Sequence, residues 1–359
     1  MIEYRIGFVV GKFCPFHKGH QFLIEAALSQ CEKVVVLSYT SEFPEFDSET
    51  RANWIKTAFR SQVAAGELDV TVLGSGYDYI DPPDDDAAPE VHRDFCARWL
   101  VYEKGITVDA VFSSEEYGPH LAAYLERFFA ANVGDGVKVT PVTVDIDRNT
   151  FRISGTGVRE ALADKNMQLV SEMVPPNVAA SFIPKVAFLG GESSGKTTIA
   201  RTMAAITRSR WVPEYGRELF AQRTREGRTL SMADYVKIAE VQIRDEELYA
   251  FASTPGKYLW CDTTPLTTFW YATQWLKMVP IELSRKVAET KYSYKHVFVC
   301  APDFPFVQDG TRVNDEFRLK GTQFYTEMLT NHQIPFTVLS GTLEDRIAKV
   351  LEVTGLKSV

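Results

Sequence analysis

Apolar and polar positions along this chain follow two rhythms that take turns. Short runs rich in Val, Ile, Leu and Phe are separated by longer stretches in which apolar residues recur every three or four positions. In the first half the short runs predict strands at Ile6 to Val10, Val34 to Ser38, Val70 to Leu73, Ala110 to Ser113 and Val137 to Val144. The longer stretches predict helices at His20 to Ser29, Ser48 to Phe59, Glu90 to Glu103 and Tyr117 to Phe129, with a further helix starting near Thr156. The rhythm then breaks at Val174-Pro175-Pro176-Asn177, with Pro184 close behind, because a residue that precedes proline is pushed out of the helical region. It restarts at Lys185-Val186-Ala187-Phe188-Leu189 and predicts strands at Val186 to Leu189, Trp211 to Val212, Tyr258 to Cys261, Val297 to Cys300 and Phe336 to Ser340.

Strand and helix alternating in this way is the pattern of a parallel sheet with crossover helices. The expected fold class is therefore α/β, with two domains: residues 1–172, a connection over 173–184, and residues 185–359. The length of 359 residues suits two ordinary domains better than one. No internal repeat is visible. The run Asp81-Pro82-Pro83-Asp84-Asp85-Asp86 reads as a solvated loop, since its prolines oppose a regular element and charge runs usually face water.

Composition narrows the function. A hydrophobic share of 45% and a charged share of 24% are those of a globular protein. Lys plus Arg total 39 against 47 for Asp plus Glu, and the net charge of −8 opposes a broad nucleic-acid footprint, so any anion site is local. Five scattered cysteines without a C-x-x-C pair suggest neither a disulfide framework nor a zinc module. No secretory leader and no apolar run of membrane-spanning length is seen, so a soluble, cytoplasmic protein without membrane contact is expected. A homo-oligomer is left open.

Two segments carry the chemistry, and each follows an apolar strand. Gly190-Gly191-Glu192-Ser193-Ser194-Gly195-Lys196-Thr197 fits the P-loop spacing, with a helix expected from Thr198. Glycines let backbone N–H groups converge on phosphate oxygens, and the helix adds its positive end. Lys196 is placed to reach the β- and γ-phosphates of ATP and Thr197 to ligate Mg²⁺. Asp262, closing Leu259-Trp260-Cys261-Asp262, is the second Mg²⁺ candidate, although an Asp capping the next helix would look the same. Glu214 ends the strand after the P-loop helix, where a carboxylate can accept the proton of an acceptor hydroxyl; a surface ion pair is the rival explanation. Arg312 and Arg318 are candidates for a lid that folds over the transferred phosphoryl group.

The other segment is Gly11-Lys12-Phe13-Cys14-Pro15-Phe16-His17-Lys18-Gly19-His20. His17 and His20, three apart at the start of a helix, suit an anion better than zinc, for which no third ligand is near. This segment resembles the hallmark of nucleotidyltransferases, G-x-F-x-P-x-H-x-G-H, at every position. Ile153-Ser154-Gly155-Thr156-Gly157-Val158-Arg159 is similar to the I-S-x-T-x-x-R segment that starts the last helix of those enzymes. The resemblance implies a Rossmann-like fold in which His17 and His20 hold the phosphates around the α-phosphorus. Ser154, Thr156 and Arg159 would hold the departing pyrophosphate, and Gly11, Lys12 and Phe13 would complete the cradle.

Taken with the second half, the chain resembles the NadR type of bifunctional nicotinamide-mononucleotide adenylyltransferase fused to a P-loop ribosylnicotinamide kinase. Pro213-Glu214-Tyr215, Asp262-Thr263 and Pro302-Asp303 through Val307-Gln308-Asp309-Gly310 to Arg312 carry that similarity. It implies ATP, nicotinamide riboside, nicotinamide mononucleotide (NMN) and NAD as small-molecule partners, with Mg²⁺ as cofactor. Arg51 and Trp54 look like the family's nicotinamide-nucleotide pocket, though a core tryptophan would read the same way. Ser114, Glu115 and Tyr117 look like its nucleotide-contacting loop. Some members carry an amino-terminal helix-turn-helix; here the first strand is expected within about five residues of Met1, so DNA binding is not expected. Two rivals stay open: a coenzyme A synthase-like pair of phosphopantetheine adenylyltransferase and dephospho-coenzyme A kinase, and a non-catalytic ATP/NAD sensor.

Overall fold

The computed structural model describes residues 2–74, 81–134, 136–145, 150–306 and 313–357. The chain divides into two compact units, Met1–Ala179 and Ala180–Val359. The division falls in a short helix, Pro176–Ser181, where the broken pattern around Pro175-Pro176 had suggested irregular chain. A proline in the first helical turn loses no hydrogen bond, because the first N–H groups have no partner inside a helix.

The first unit holds one parallel sheet of five strands: β1 (Tyr4–Gly11), β2 (Cys31–Ser38), β3 (Leu68–Val72), β4 (Ala110–Ser113) and β5 (Thr140–Thr143). Their order is β3-β2-β1-β4-β5. The chain winds outward from β1 to β3, then returns to the other side of β1 for β4, so the turn after β1 opens at the point where the winding reverses. Ligands of such sheets bind there, beyond the carboxyl ends of the strands. Phe8, Val35, Leu37 and Val111 pack one face of this sheet against Leu125 and Phe129 of the helix Tyr117–Asn132 and Trp99 of the segment after Pro89–Arg98. That last segment, expected as one helix to Glu103, widens into a π turn over Trp99–Glu103.

The second unit repeats the plan with a different order. Its strands are β6 (Lys185–Leu189), β7 (Arg210–Val212), β8 (Leu259–Asp262), β9 (His296–Cys300) and β10 (Thr337–Leu339), arranged β10-β9-β6-β8-β7 and all parallel. Successive residues of a strand face opposite sides. Val186 and Phe188 accordingly pack with Ile199 and Met203 of the helix Lys196–Thr207, while Ala187 and Leu189 pack with Trp270, Tyr325 and Leu329 on the other face. Burial on both faces explains why the central strands β6, β8 and β9 read as nearly unbroken apolar runs. The order also sets the carboxyl ends of β6, β8 and β7 side by side, with Phe188 paired to Asp262 and Val212 to Cys261.

Candidate functional site

In the first unit the turn after β1 leads straight into the helix Lys18–Leu28, with His17 as its N-cap. The His17 backbone N–H donates to His20 Nδ1 and the His20 N–H donates to His17 Nδ1, each at 3.3 Å. Two imidazoles thus replace the hydroxyl and carboxylate of an ordinary capping box. Because both Nδ1 atoms accept, the proton of each neutral ring lies on Nε2. The rings stack with centroids 3.5 Å apart. Gly19 permits this: a Cβ there would come within 3.1 Å of the His17 ring.

Beside His20 lies a cavity of about 670 Å³, which the buried His17 does not line. Gly11, Lys12, Phe13 and His20 line it from the β1 turn, and Ser154, Thr156 and Arg159 from the helix Gly155–Ala163. Ser154 caps that helix by accepting from the Gly157 N–H at 3.1 Å. Arg159 donates to the Cys14 carbonyl at 2.6 Å and to Thr156 Oγ1 at 3.1 Å, and its guanidinium lies 4.2 Å from the Phe43 ring centre. Residues 145 apart in sequence are so joined into one cradle. Ser114 and Glu115 line the cavity, as does Tyr117, whose hydroxyl donates to the Val10 carbonyl at 2.7 Å.

Three expectations change here. Asp85, expected in a solvated loop, turns its carboxylate inward until the side chain is only 2% exposed. There it accepts from Lys12 Nζ at 2.9 Å, Thr40 Oγ1 at 2.5 Å and the Ser41 N–H at 3.2 Å. Burial pushes this carboxyl up, but the bonds from Lys12, Thr40 and Ser41 together outweigh it and hold it below the usual carboxylate range. Arg51 does not line the cavity. It is 1% exposed and donates to the carbonyls of Phe46, Lys12 and Leu73 and to Ser38 Oγ, bracing the ends of β1, β2 and β3. Trp54 is 2% exposed and packs against Phe46, with its carbonyl accepting from Asn177.

In the second unit the P-loop follows β6 and passes through left-handed conformations at Ser193 and Gly195 before the helix begins at Lys196. Lys196 Nζ curls back to donate to the carbonyls of Gly190 at 3.0 Å and Gly191 at 2.9 Å. Ser194 Oγ donates to the Gly191 carbonyl, and Thr198 sits exposed on the helix. Gly191 has no space for a side chain, because a Cβ would lie 2.1 Å from the Arg318 carbonyl. Glu192 accepts from the Tyr271 hydroxyl at 3.1 Å and from the Val313 N–H at 2.7 Å.

Thr197 Oγ1 donates to Asp262 Oδ2 at 2.5 Å. Asp262 is 1% exposed, and its Oδ1 has no hydrogen-bond partner among the described residues. Burial first, and the nearby negative charge of Glu214 second, push its carboxyl up to about 6. Glu214 stands just before the helix Tyr215–Arg225 and pairs with Arg217 at 3.6 Å. Thr263 Oγ1 is likewise buried without a partner among the described residues, and Thr263 holds a φ of 87°, a strained value for a β-branched residue.

Arg318 is not extended as a free lid: it is 4% exposed, donates to the Phe304 carbonyl and pairs with Asp315 at 2.5 Å. Arg312, with Val307 to Thr311, lies outside the described residues. Sequence reasoning missed Arg346, which sits on an ordinary amphipathic helix, Leu343–Thr354, with no motif around it. It donates to the Ser194 carbonyl at 2.8 Å and pairs with Asp303, tying the P-loop to the chain after β9. Asp85 was missed because an acidic run gives no hint of which member turns inward.

Residues 185–346 match the family of AAA domains, and residues 6–80 match the citrate lyase ligase C-terminal domain. Among curated proteins, the trifunctional NAD biosynthesis/regulator protein NadR of Salmonella typhimurium is 28% identical over 355 residues, covering 92% of this chain and 78% of the relative. NadR of Escherichia coli is 30% identical over 254 residues, covering 65% of this chain and 54% of the relative. Among solved structures, NadR in complex with NR aligns over 100% of this chain and 98% of its own, with a TM-score of 0.59 at 18% identity. NadR in complex with NAD and AMP-PNP aligns over 99% and 98%, with a TM-score of 0.56 at 20% identity. This chain is thus similar to NadR along most of its length, and shares with it the succession of a nucleotidyltransferase-like and a P-loop α/β domain.

Proposed function

We propose that the chain makes NAD in two steps, phosphorylating nicotinamide riboside at its 5′-hydroxyl in the second unit and adenylylating the resulting NMN in the first. The observation that carries this reading is the pairing on one chain of two phosphate cradles of different construction, in relatives named for NAD biosynthesis and in structures solved with NR, NAD and AMP-PNP. The domain limits proposed from the sequence, 1–172 and 185–359, place one cradle in each.

In the second unit Lys196 turns from the loop carbonyls to the β- and γ-phosphates of ATP, and the loop N–H groups and helix end complete the cradle. The buried Oδ1 of Asp262 beside the Thr197 hydroxyl fits a divalent cation: these two residues would hold Mg²⁺, which when bound supplies neutralising charge to the phosphates. Glu214 accepts the proton of the riboside hydroxyl. A hydroxyl of the ribose satisfies the buried polar atom of Thr263, which otherwise bears an uncompensated desolvation cost. Arg312 stays assigned to the developing charge, whereas Arg318 is held by the Phe304 carbonyl and Asp315.

In the first unit the Nε2–H groups of His17 and His20 donate to the α-phosphoryl oxygens as NMN attacks, and Ser154, Thr156 and Arg159 hold the leaving pyrophosphate. No covalent intermediate is needed; the chain aligns the reactants and offsets charge. Chromatography of products from ATP and nicotinamide riboside tests the whole reading. NMN followed by NAD is expected, and ATP left unconsumed would overturn it.

A further inference from the structure

We infer that Asp85 is a positioning residue for the first site, holding the Lys12 ammonium in place as a donor to the triphosphate of ATP. This rests on the adenylyl-transfer reading of that site. Lys12 begins the turn after β1, and its carbonyl is itself pinned by Ser38 Oγ at 3.0 Å and Arg51 at 3.2 Å, so the backbone under the side chain is fixed. The side chain is long and half-exposed, and a lysine in that setting would sample many rotamers. Two carboxylates restrain it: Asp85 at 2.9 Å and Glu42 at 3.1 Å.

The two are not equivalent. Glu42 is 51% exposed and screened by water, whereas Asp85 is 2% exposed and is itself locked by the Thr40 hydroxyl and the Ser41 N–H. Asp85 is thus the rigid member of the pair, and Thr40 and Ser41 anchor it to the chain that leaves β2. The three accepted bonds hold the carboxylate in its charged form, paired with the Lys12 ammonium. An ammonium has three N–H donors, so Lys12 can keep both carboxylates and still donate to a phosphate oxygen. A carboxylate that orients a phosphate-binding lysine has a known parallel in the ion pair that protein kinases need for activity.

The test uses the full chain, with Asp85→Asn, Asp85→Glu, Lys12→Ala and the Asp85→Asn/Lys12→Ala double variant, all checked by circular dichroism and thermal melting. NAD formation from ATP and supplied NMN is measured, and ATP affinity is read by calorimetry in a Lys196→Ala background so that only the first site reports. Asp85→Asn is expected to lower kcat/KM for ATP by about tenfold to a hundredfold, with KM for NMN unchanged. Asp85→Glu should recover part of the loss. The double variant should be no worse than Lys12→Ala, because Asp85 acts through Lys12. Normal turnover by Asp85→Asn, or losses that multiply in the double variant, would overturn the inference. If the parent chain makes no NAD, the adenylyl-transfer reading fails, and calorimetry decides on Asp85 alone. ATP binding weakened by Asp85→Asn only while Lys12 is present keeps the positioning role, and unchanged binding ends it.

Discussion

The two cradles do similar work with opposite materials. In the second unit the proposed phosphate site is one contiguous loop, Gly190 to Thr197, whose donors would be mostly backbone N–H groups and a helix end. In the first it is a meeting of distant side chains: His20 from one helix start, Arg159 from another, Lys12 from the β1 turn and Asp85 from a loop beyond β3. Even the lysines differ, since Lys196 rests on backbone carbonyls while Lys12 rests on two carboxylates. A backbone cradle needs few side chains of its own, although Arg346 and the close approach of Arg318 still brace it from distant parts of the chain; a side-chain cradle needs every contributing element in register.

The widest consequence is that each cradle should fail alone. Lys196→Ala removes the charge that would face the β- and γ-phosphates, and a loss of about a thousandfold in riboside phosphorylation is expected, with NMN still converted to NAD. His20→Ala should do the reverse, halting the pathway at NMN. It also breaks the reciprocal cap with His17, so retained riboside phosphorylation and circular dichroism serve as its folding controls. Mixing the two variants should restore NAD synthesis from the riboside. Loss of both reactions in folded Lys196→Ala protein would end the contrast between two independent sites.

Glu214→Gln sharpens the contrast, because only the second site is proposed to use a proton acceptor. The amide keeps the shape but cannot take the hydroxyl proton, so riboside phosphorylation should fall about a hundredfold with ATP affinity intact. The adenylyl half should not change. Near-normal phosphorylation would leave Glu214 as no more than the partner of Arg217.

The same contrast explains what could be read before the structure. Both sheets were legible because buried parallel strands are apolar runs, and the P-loop was legible because its donors are consecutive in sequence. Ser154 to Arg159 was found only through resemblance; nothing in spacing says that Arg159 reaches the Cys14 carbonyl. Asp85 and Arg346 were not legible, since one lies in an acidic run and the other on an unremarkable amphipathic helix, and each acquires its role only when chain from elsewhere closes on it. Arg51 and Trp54 were placed on the correct helix, Ser48–Ala58, but helical spacing does not say which of its faces is covered.

A smaller effect separates the sites by pH. The Asp262 carboxyl is pushed up to about 6, so below that value it takes a proton and loses the charge that would hold Mg²⁺. The sign is fixed by the acid: the charged, cation-binding form dominates above about 6 and is lost as pH falls through it. Apparent Mg²⁺ affinity of the riboside kinase should therefore weaken about tenfold per pH unit once pH drops below that point, measured at limiting Mg²⁺. Saturating Mg²⁺ should mask the effect by favouring the charged form. A Mg²⁺ affinity that stays flat between pH 7 and about pH 5 would separate Asp262 from the cation.

The smallest expected change in activity is that of Trp54→Ala, and it asks whether the first cradle extends to the helix Ser48–Ala58. The resemblance assigns Trp54 to NMN, where an indole would stack on the pyridinium ring and its loss would raise KM for NMN alone. The packing argues for another outcome. At 2% exposure, against Phe46 and off the cavity lining, the indole has no open face to offer, and its removal leaves a void in the core of the first unit. Truncating a buried tryptophan costs about 3–5 kcal/mol. The first unit should therefore melt about 10 °C lower, while KM for NMN, measured well below the new melting point, moves less than about twofold. A large rise in KM for NMN with an unchanged melting curve would show that the helix opens to receive the ring, and would return Trp54 to the substrate side of the first cradle.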